Sequence, residues 1–231
     1  MLDIKTECKA LIFDVDGTLA ETEELHRKAF NLTFKKLCVN WYWDRICYKK
    51  LLNTSGGVER LLHYKNLARD ESSTLTNEII DKIHSKKTAI YTQSIKNTKL
   101  ELRPGVAKLI KEAQTKNIKL ALATATSLVN VRALAKNIWG KPVSRIFHAV
   151  ATGDEVSNKK PSPEVYELIL RKLQIESKDC IAVEDSLNGL KSAKAAGLKT
   201  VITPSLYTKN DDFSLADIVL PSLVGFKLQE S

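Results

Sequence analysis

Two carboxylates one residue apart, Asp14 and Asp16, close the apolar run Ala10-Leu11-Ile12-Phe13 and are followed by Gly17-Thr18. The run reads as a strand of a parallel sheet, buried on both faces. In open α/β sheets ligand chemistry sits just outside the carboxyl ends of the strands. A carboxylate buried there without a partner is costly, so Asp14 and Asp16 imply a cation. Gly17 supplies the tight backbone exit that such a turn needs.

Three further strand ends carry groups suited to phosphate chemistry. Ile118–Ala123 ends in Thr124-Ala125-Thr126, where a hydroxyl and a backbone N–H can donate to a phosphoryl oxygen. Lys159-Lys160-Pro161 follows the Gly153-Asp154-Glu155 turn and precedes a helix. Cys180–Val183 ends in Glu184-Asp185-Ser186. These are hard oxygen donors with no His or Cys among them, which points to Mg²⁺. Each has an ordinary alternative: Thr124 as a plain strand-end threonine, the lysines as surface lysines, Asp185 as a helix N-cap.

In order and spacing, the four segments resemble the motifs of the haloacid dehalogenase superfamily of phosphohydrolases. The resemblance implies that Asp14 is a phosphoryl-accepting nucleophile and Asp16 a general acid/base. Lys160, directly before the proline, neutralises nucleophile and phosphate, while Thr124 and the Ala125 N–H hold phosphoryl oxygens. Mg²⁺ is held by Asp14, the carbonyl of Asp16 and Asp185, with Glu184 in direct contact or one shell out.

These residues need elements to position them. Between Glu21 and Asn97 apolar residues recur at helical spacing, with Ser55-Gly56-Gly57 opening a helix near Val58 and Asp70-Glu71-Ser72-Ser73 connecting two helices. That stretch reads as an insert of four or five helices. From Arg103 strands and helices alternate: Pro104 starts a helix over Val106–Thr115, and helices follow at Leu128–Asn137, after Ser162-Pro163-Glu164 to Leu173, and at Leu187–Ala196. Further strands are expected at Ile146–Ala151, Leu198–Ile202 and Ile218–Leu220. Repeated βα units imply an α/β fold, a doubly wound parallel sheet. The core is residues 1–20 plus 98–231, with a helical cap at 21–97.

The cap narrows the resemblance. Gly17 to Asn31, Trp41-x-Trp43-Asp44, Tyr48, the Ser55-Gly56-Gly57-x-Glu59-Arg60 loop, Arg103-Pro104-Gly105 and Pro204-x-x-Tyr207-Thr208 resemble the CbbY-type branch, the xylulose-1,5-bisphosphate phosphatases. By that resemblance Glu23, His26 and Tyr48 face the sugar, while Gly56, Gly57 and Arg60 hold the phosphate that is not cleaved. A Gly-rich loop at a helix N-terminus suits an anion. The branch usually carries Lys after the glycine pair; this chain has Val58, with Lys50 or Lys65 as candidates to replace that charge. Trp41 and Trp43 read as packing.

The chain has 231 residues, 43% hydrophobic and 27% charged, as a globular protein does. Its net charge of +9 invites a nucleic-acid reading, but the lysines are dispersed without a block of five or six. No nucleic-acid or membrane partner is expected, and a monomer acting on a small sugar phosphate or bisphosphate is. Four scattered cysteines without a C-x-x-C pair suggest free thiols in the cytoplasm, or in an organelle after loss of a transit peptide. Rival functions are a β-phosphoglucomutase-like mutase, a phosphatase for phosphoglycolate or another small phosphometabolite, and a non-catalytic binder.

Overall fold

The computed structural model describes residues 8–68 and 75–228. The expected connection at Asp70-Glu71-Ser72-Ser73 lies outside the described residues. The chain separates into two compact units, one built from the segments up to Glu21 and from Leu100 onward, the other from Thr22–Lys99.

Among the described residues the first unit holds a six-stranded sheet, all of it parallel, in the order β3-β2-β1-β4-β5-β6. The strands are β1 Ala10–Phe13, β2 Lys119–Ala123, β3 Ala149–Ala151, β4 Cys180–Glu184, β5 Lys199–Ile202 and β6 Ile218–Val219. β1 is central: Ala10 pairs with Lys119 of β2 on one side and Cys180 of β4 on the other. All four of its residues are fully buried, which is why its sequence is apolar without alternation. Helices α5 Val106–Thr115, α6 Leu128–Trp139, α7 Glu164–Leu173 and α8 Leu187–Ala195 belong to the same unit. The stripe Val165, Tyr166, Ile169, Leu173 of α7 clusters with Ala10, Ile12, Ala121, Ala123 and Ala182 of the three central strands.

Several boundaries differ from the sequence expectation, each for a backbone reason. Ile118 does not join β2, because its N–H closes the end of α5 on Ala113 O after Asn117 adopts a left-handed φ of 55°. Leu198 likewise closes α8 on Ala193 O instead of opening β5. Ile146 and Phe147 donate to Val143 O in a short 3₁₀ turn, so β3 begins only at Ala149. Pro104 is not the first helical residue. Gly105 intervenes with φ +90°, its backbone lying directly against that of Leu223, and caps α5.

The second unit holds four helices among its described residues: α1 Glu23–Lys36, α2 Arg45–Leu51, α3 Gly57–Leu67 and α4 Asn77–Lys96, with α1 packed along α4. Asp44 and Thr76 cap α2 and α4, accepting from Cys47 N (2.7 Å) and Ile79 N (3.4 Å). Phe30, Phe34, Trp41, Trp43, Tyr48 and Tyr64 form a continuous aromatic cluster, so both tryptophans are packing residues. The four cysteines are free thiols, and burial pushes Cys180 up to about 12. Among the described residues no helix is long and apolar enough to cross a membrane.

Gly105 has no room for a side chain. A Cβ there would meet the Leu223 backbone and force an L residue into the left-handed region. Gly105→Ala is expected to lower stability by roughly 2–4 kcal/mol, read from the urea midpoint at unchanged m-value.

Candidate active site

The carboxyl ends of β1, β2 and β4 converge on one buried ammonium. Asp14 continues the ladder, its N–H donating to Val183 O at 3.0 Å, so its side chain leaves the sheet beside that of Glu184. Lys160 Nζ donates to Asp14 Oδ1 (2.7 Å), Glu184 Oε1 (2.5 Å) and the carbonyl of Ala123 (2.9 Å). All three donor protons are thereby used. The adjacent Lys159 turns away and donates to the carbonyls of Gly153 and Val156.

Glu184 is completely buried and fully engaged. Its Oε1 also accepts from Tyr166 OH (2.7 Å) and its Oε2 from the N–H of Asp185 (3.2 Å). The carboxylate occupies the space a side chain at Gly189 would take. Asp185 is held from two loops, by Thr18 Oγ1 (3.4 Å) and Thr208 Oγ1 (3.3 Å). It is not the helix cap; Ser186 caps α8, its Oγ accepting from Gly189 N at 3.1 Å. Asp16 is half-buried on the turn that bridges back to Ala20.

At the end of β2, Thr124 is buried and its Oγ1 accepts from Thr126 N (3.2 Å), which leaves its own proton to donate. The N–H groups of Val15 and Ala125 have no acceptor among the described residues. Two backbone donors and one hydroxyl, with the positive charge of Lys160 beside them, suit a tetrahedral oxyanion.

Asp14, Glu184 and Asp185 each offer an oxygen, and these oxygens lie within 4.8 Å of one another. Three buried carboxylates facing the Lys160 ammonium leave negative charge in excess. Burial pushes Asp14 up to about 8; Lys160 opposes the rise, and Glu184 and Asp16 add to it. A hard divalent cation fits this donor set and removes the imbalance.

The second unit joins three of its sequence-predicted residues to each other. Glu23 accepts from Tyr48 OH (2.7 Å), which accepts in turn from Arg60 Nη1 (3.1 Å). Arg60 is buried, lies over the Tyr48 ring and donates Nε to Leu51 O (3.2 Å). His26 stacks on Tyr91 with ring centroids 3.8 Å apart, and its Nδ1 lies 2.7 Å from Lys87 Nζ. Lys87 is a buried cation over the faces of Phe30 and Tyr91. With the Lys87 ammonium as donor to Nδ1, Nε2–H would be the imidazole's own donor. Gly56, at φ +92°, caps α3, and the N–H groups of Gly57 and Val58 have no acceptor among the described residues. Lys65 lies two turns along α3, about 10 Å from that end. Instead the His84 imidazole packs against Gly57, 2.5 Å from where a Cβ would stand.

Sequence reasoning missed Tyr166, Thr18, Thr208 and Lys87. Tyr166 sits in an ordinary apolar stripe and gave no signal. Lys87 did give one: it interrupts the buried stripe Ile80, Ile83, Tyr91, Ile95 of α4.

A family model described as haloacid dehalogenase-like hydrolase matches residues 8–197. The chain belongs to the haloacid dehalogenase-like hydrolases. It is similar to the protein CbbY of Cereibacter sphaeroides, 47% identical over 93% of this chain and 92% of that one. It is similar too to solved structures of CbbY from Rhodobacter sphaeroides, one in complex with phosphate (TM-score 0.90) and one of a variant in complex with xylulose 1,5-bisphosphate (TM-score 0.91). Both are 46% identical and cover 94% of this chain and 96% of theirs. As a member of this family with such relatives, the chain is an enzyme, a phosphatase.

The raised Asp14 fixes a pH dependence. In the unfolded chain this carboxyl titrates near 3.8, in the folded metal-free protein near 8. The folded state therefore binds the extra proton between those values, and this group's contribution to stability falls as pH rises through them. Mg²⁺ is expected to raise the melting temperature more at about pH 8 than at about pH 5.5, where it must displace a proton from Asp14. Equal shifts at both, in calorimetry of EDTA-treated and Mg²⁺-loaded protein, would contradict the charge balance described here.

Proposed function

We propose that this phosphatase is a Mg²⁺-dependent sugar-phosphate phosphatase that removes one phosphate from xylulose 1,5-bisphosphate through an aspartyl-phosphate on Asp14. The observation that carries the reading is the Asp14–Lys160 pair at the mouth of the sheet, in a chain 46% identical to a protein solved with that bisphosphate bound.

Asp14 Oδ2, the oxygen not bonded to Lys160, attacks phosphorus while the ester P–O bond breaks. Asp16 gives its proton to the departing alkoxide. Asp16 then takes a proton from the water that attacks the phosphorus of the aspartyl-phosphate, and inorganic phosphate leaves with Asp14 restored. Thr124 and the Ala125 N–H hold the equatorial oxygens. Lys160 stays charged throughout and opposes the repulsion between carboxylate and phosphate. Asp14, the Asp16 carbonyl and Asp185 would hold Mg²⁺, with Glu184 behind them orienting Lys160. The ion would supply further screening of negative charge on the phosphoryl group.

Glu23, His26 and Tyr48 would meet the sugar hydroxyls, His26 as an Nε2–H donor. The N–H groups at the start of α3 and Arg60, whose Nη2 has no acceptor among the described residues, would meet the second phosphate.

Phosphate release is the test. Xylulose 1,5-bisphosphate is expected to be cleaved in Mg²⁺ and spared in EDTA, faster than ribulose 1,5-bisphosphate, glucose phosphates or phosphoglycolate. Asp14→Asn should lose at least roughly a thousandfold. Val58→Lys should lower KM for the bisphosphate a few-fold and leave monophosphates unchanged. Turnover of monophosphates alone would overturn the substrate assignment, and no turnover at all would overturn the mechanism.

A further inference from the structure

Arg103 lies outside the reacting groups, yet its guanidinium is engaged on every nitrogen. Its backbone is fixed first. The Arg103 N–H donates to Leu19 O (2.8 Å), and Pro104 O accepts from Leu223 N (3.1 Å). From that base the side chain, 11% exposed, spreads as a fork. Nη1 donates to the carbonyl of Gly17, to the carbonyl of Thr203 (2.8 Å) and to its hydroxyl (3.1 Å). Nη2 donates to Pro204 O (2.7 Å). Nε lies 3.2 Å from Glu21 Oε1, and the Glu21 carboxylate also accepts from the N–H of Leu206.

One side chain thus fastens two loops, the turn after the nucleophile (17–21) and the segment after β5 (203–206). Both loops end on the same carboxylate. Thr18, next to Gly17, donates to Asp185 Oδ1. Thr208 donates to Oδ2 and is itself fixed by Ser205, whose N–H donates to Thr208 Oγ1 at 2.8 Å and whose Oγ lies 3.0 Å from it. Gly17, at φ +85°, has no side chain, and the Asp185 carboxylate lies where its Cβ would be.

We propose that Arg103 is a positioning residue for the cation site: by joining the two loops that grip Asp185, it sets the distance between Asp185 and the Asp14–Asp16 turn, and with it the affinity for Mg²⁺. This rests on the reading of Asp14, the Asp16 carbonyl and Asp185 as cation ligands. A planar fork is required, because the acceptors belong to separate backbone segments. Lysine offers three donors at one point and cannot bridge them. Glu21 pairs the guanidinium on its exposed side, so Arg103 acts through geometry.

The test is Mg²⁺ affinity of metal-free Arg103→Ala and Arg103→Lys, read by thermal shift against Mg²⁺ concentration and, separately, by the Mg²⁺ dependence of turnover. The lysine variant keeps the stem and the charge and guards against loss of folding in the alanine variant. Half-saturating Mg²⁺ is expected to rise about tenfold or more for alanine and by a smaller factor for lysine. Turnover at saturating Mg²⁺ should stay within about threefold of the parent. Millimolar guanidinium should restore the affinity of the alanine variant. Folded variants that bind Mg²⁺ as tightly as the parent would overturn the proposal, since a merely structural anchor changes stability alone. A parent protein that binds no Mg²⁺ would overturn the ligand assignment itself, and this proposal with it.

Discussion

Lys160 brings a positive charge to the carboxyl end of a sheet whose two central strands both run into buried carboxylates. Each of those carboxylates would be unfavourable alone, and so would the ammonium. Together they are tolerable because the geometry is close: three donor protons meet three acceptors, and Glu184 accepts two further bonds, from Tyr166 and a backbone N–H. Removing one partner from such a cluster leaves a buried charge uncompensated, which is typically worth several kcal/mol. The site is for that reason also part of the fold. Its stability is tied to the same charges that would carry out the reaction.

The groups at the strand ends were legible because a parallel strand buried on both faces reads as an apolar run with an abrupt end. At Phe13, Ala123 and Val183 that end is where polar residues begin. Boundaries were less legible. The N–H groups of Ile118 and Leu198 could close a helix or open a strand, and apolarity does not separate the two; Asn117 and Gly197, as residues able to take a left-handed φ, were the clue. Asp185 and Ser186 are both good caps by type, and only the backbone direction settles that Ser186 performs the task.

Long-range side-chain partnerships were hidden for a different reason. Tyr166 satisfies helical periodicity completely, and nothing in α7 alone says that its hydroxyl meets a glutamate from another strand. Arg103 and Lys87 differ from surface cations only in what surrounds them. Lys87 at least stands in an apolar stripe, where an ammonium must find acceptors or aromatic faces, and it finds both. Three of the residues expected to touch substrate in the helical unit are bonded to one another. Glu23, Tyr48 and Arg60 form a chain that pre-orders each side chain, which lowers the entropy lost when a ligand is bound.

The discontinuity of the sheet-bearing unit has a consequence for how the protein is made. β1 leaves the ribosome first, but both of its neighbours, β2 and β4, lie more than a hundred residues downstream, beyond the whole helical insert. Until they emerge, Ala10–Phe13 is an unpaired apolar segment with high β propensity, the kind that associates with other chains. The insert can fold on local contacts in the meantime, whereas the sheet closes only across long loops. The strand that ends in Asp14 is synthesised early and seated late, so nascent chains are most exposed to aggregation at that strand.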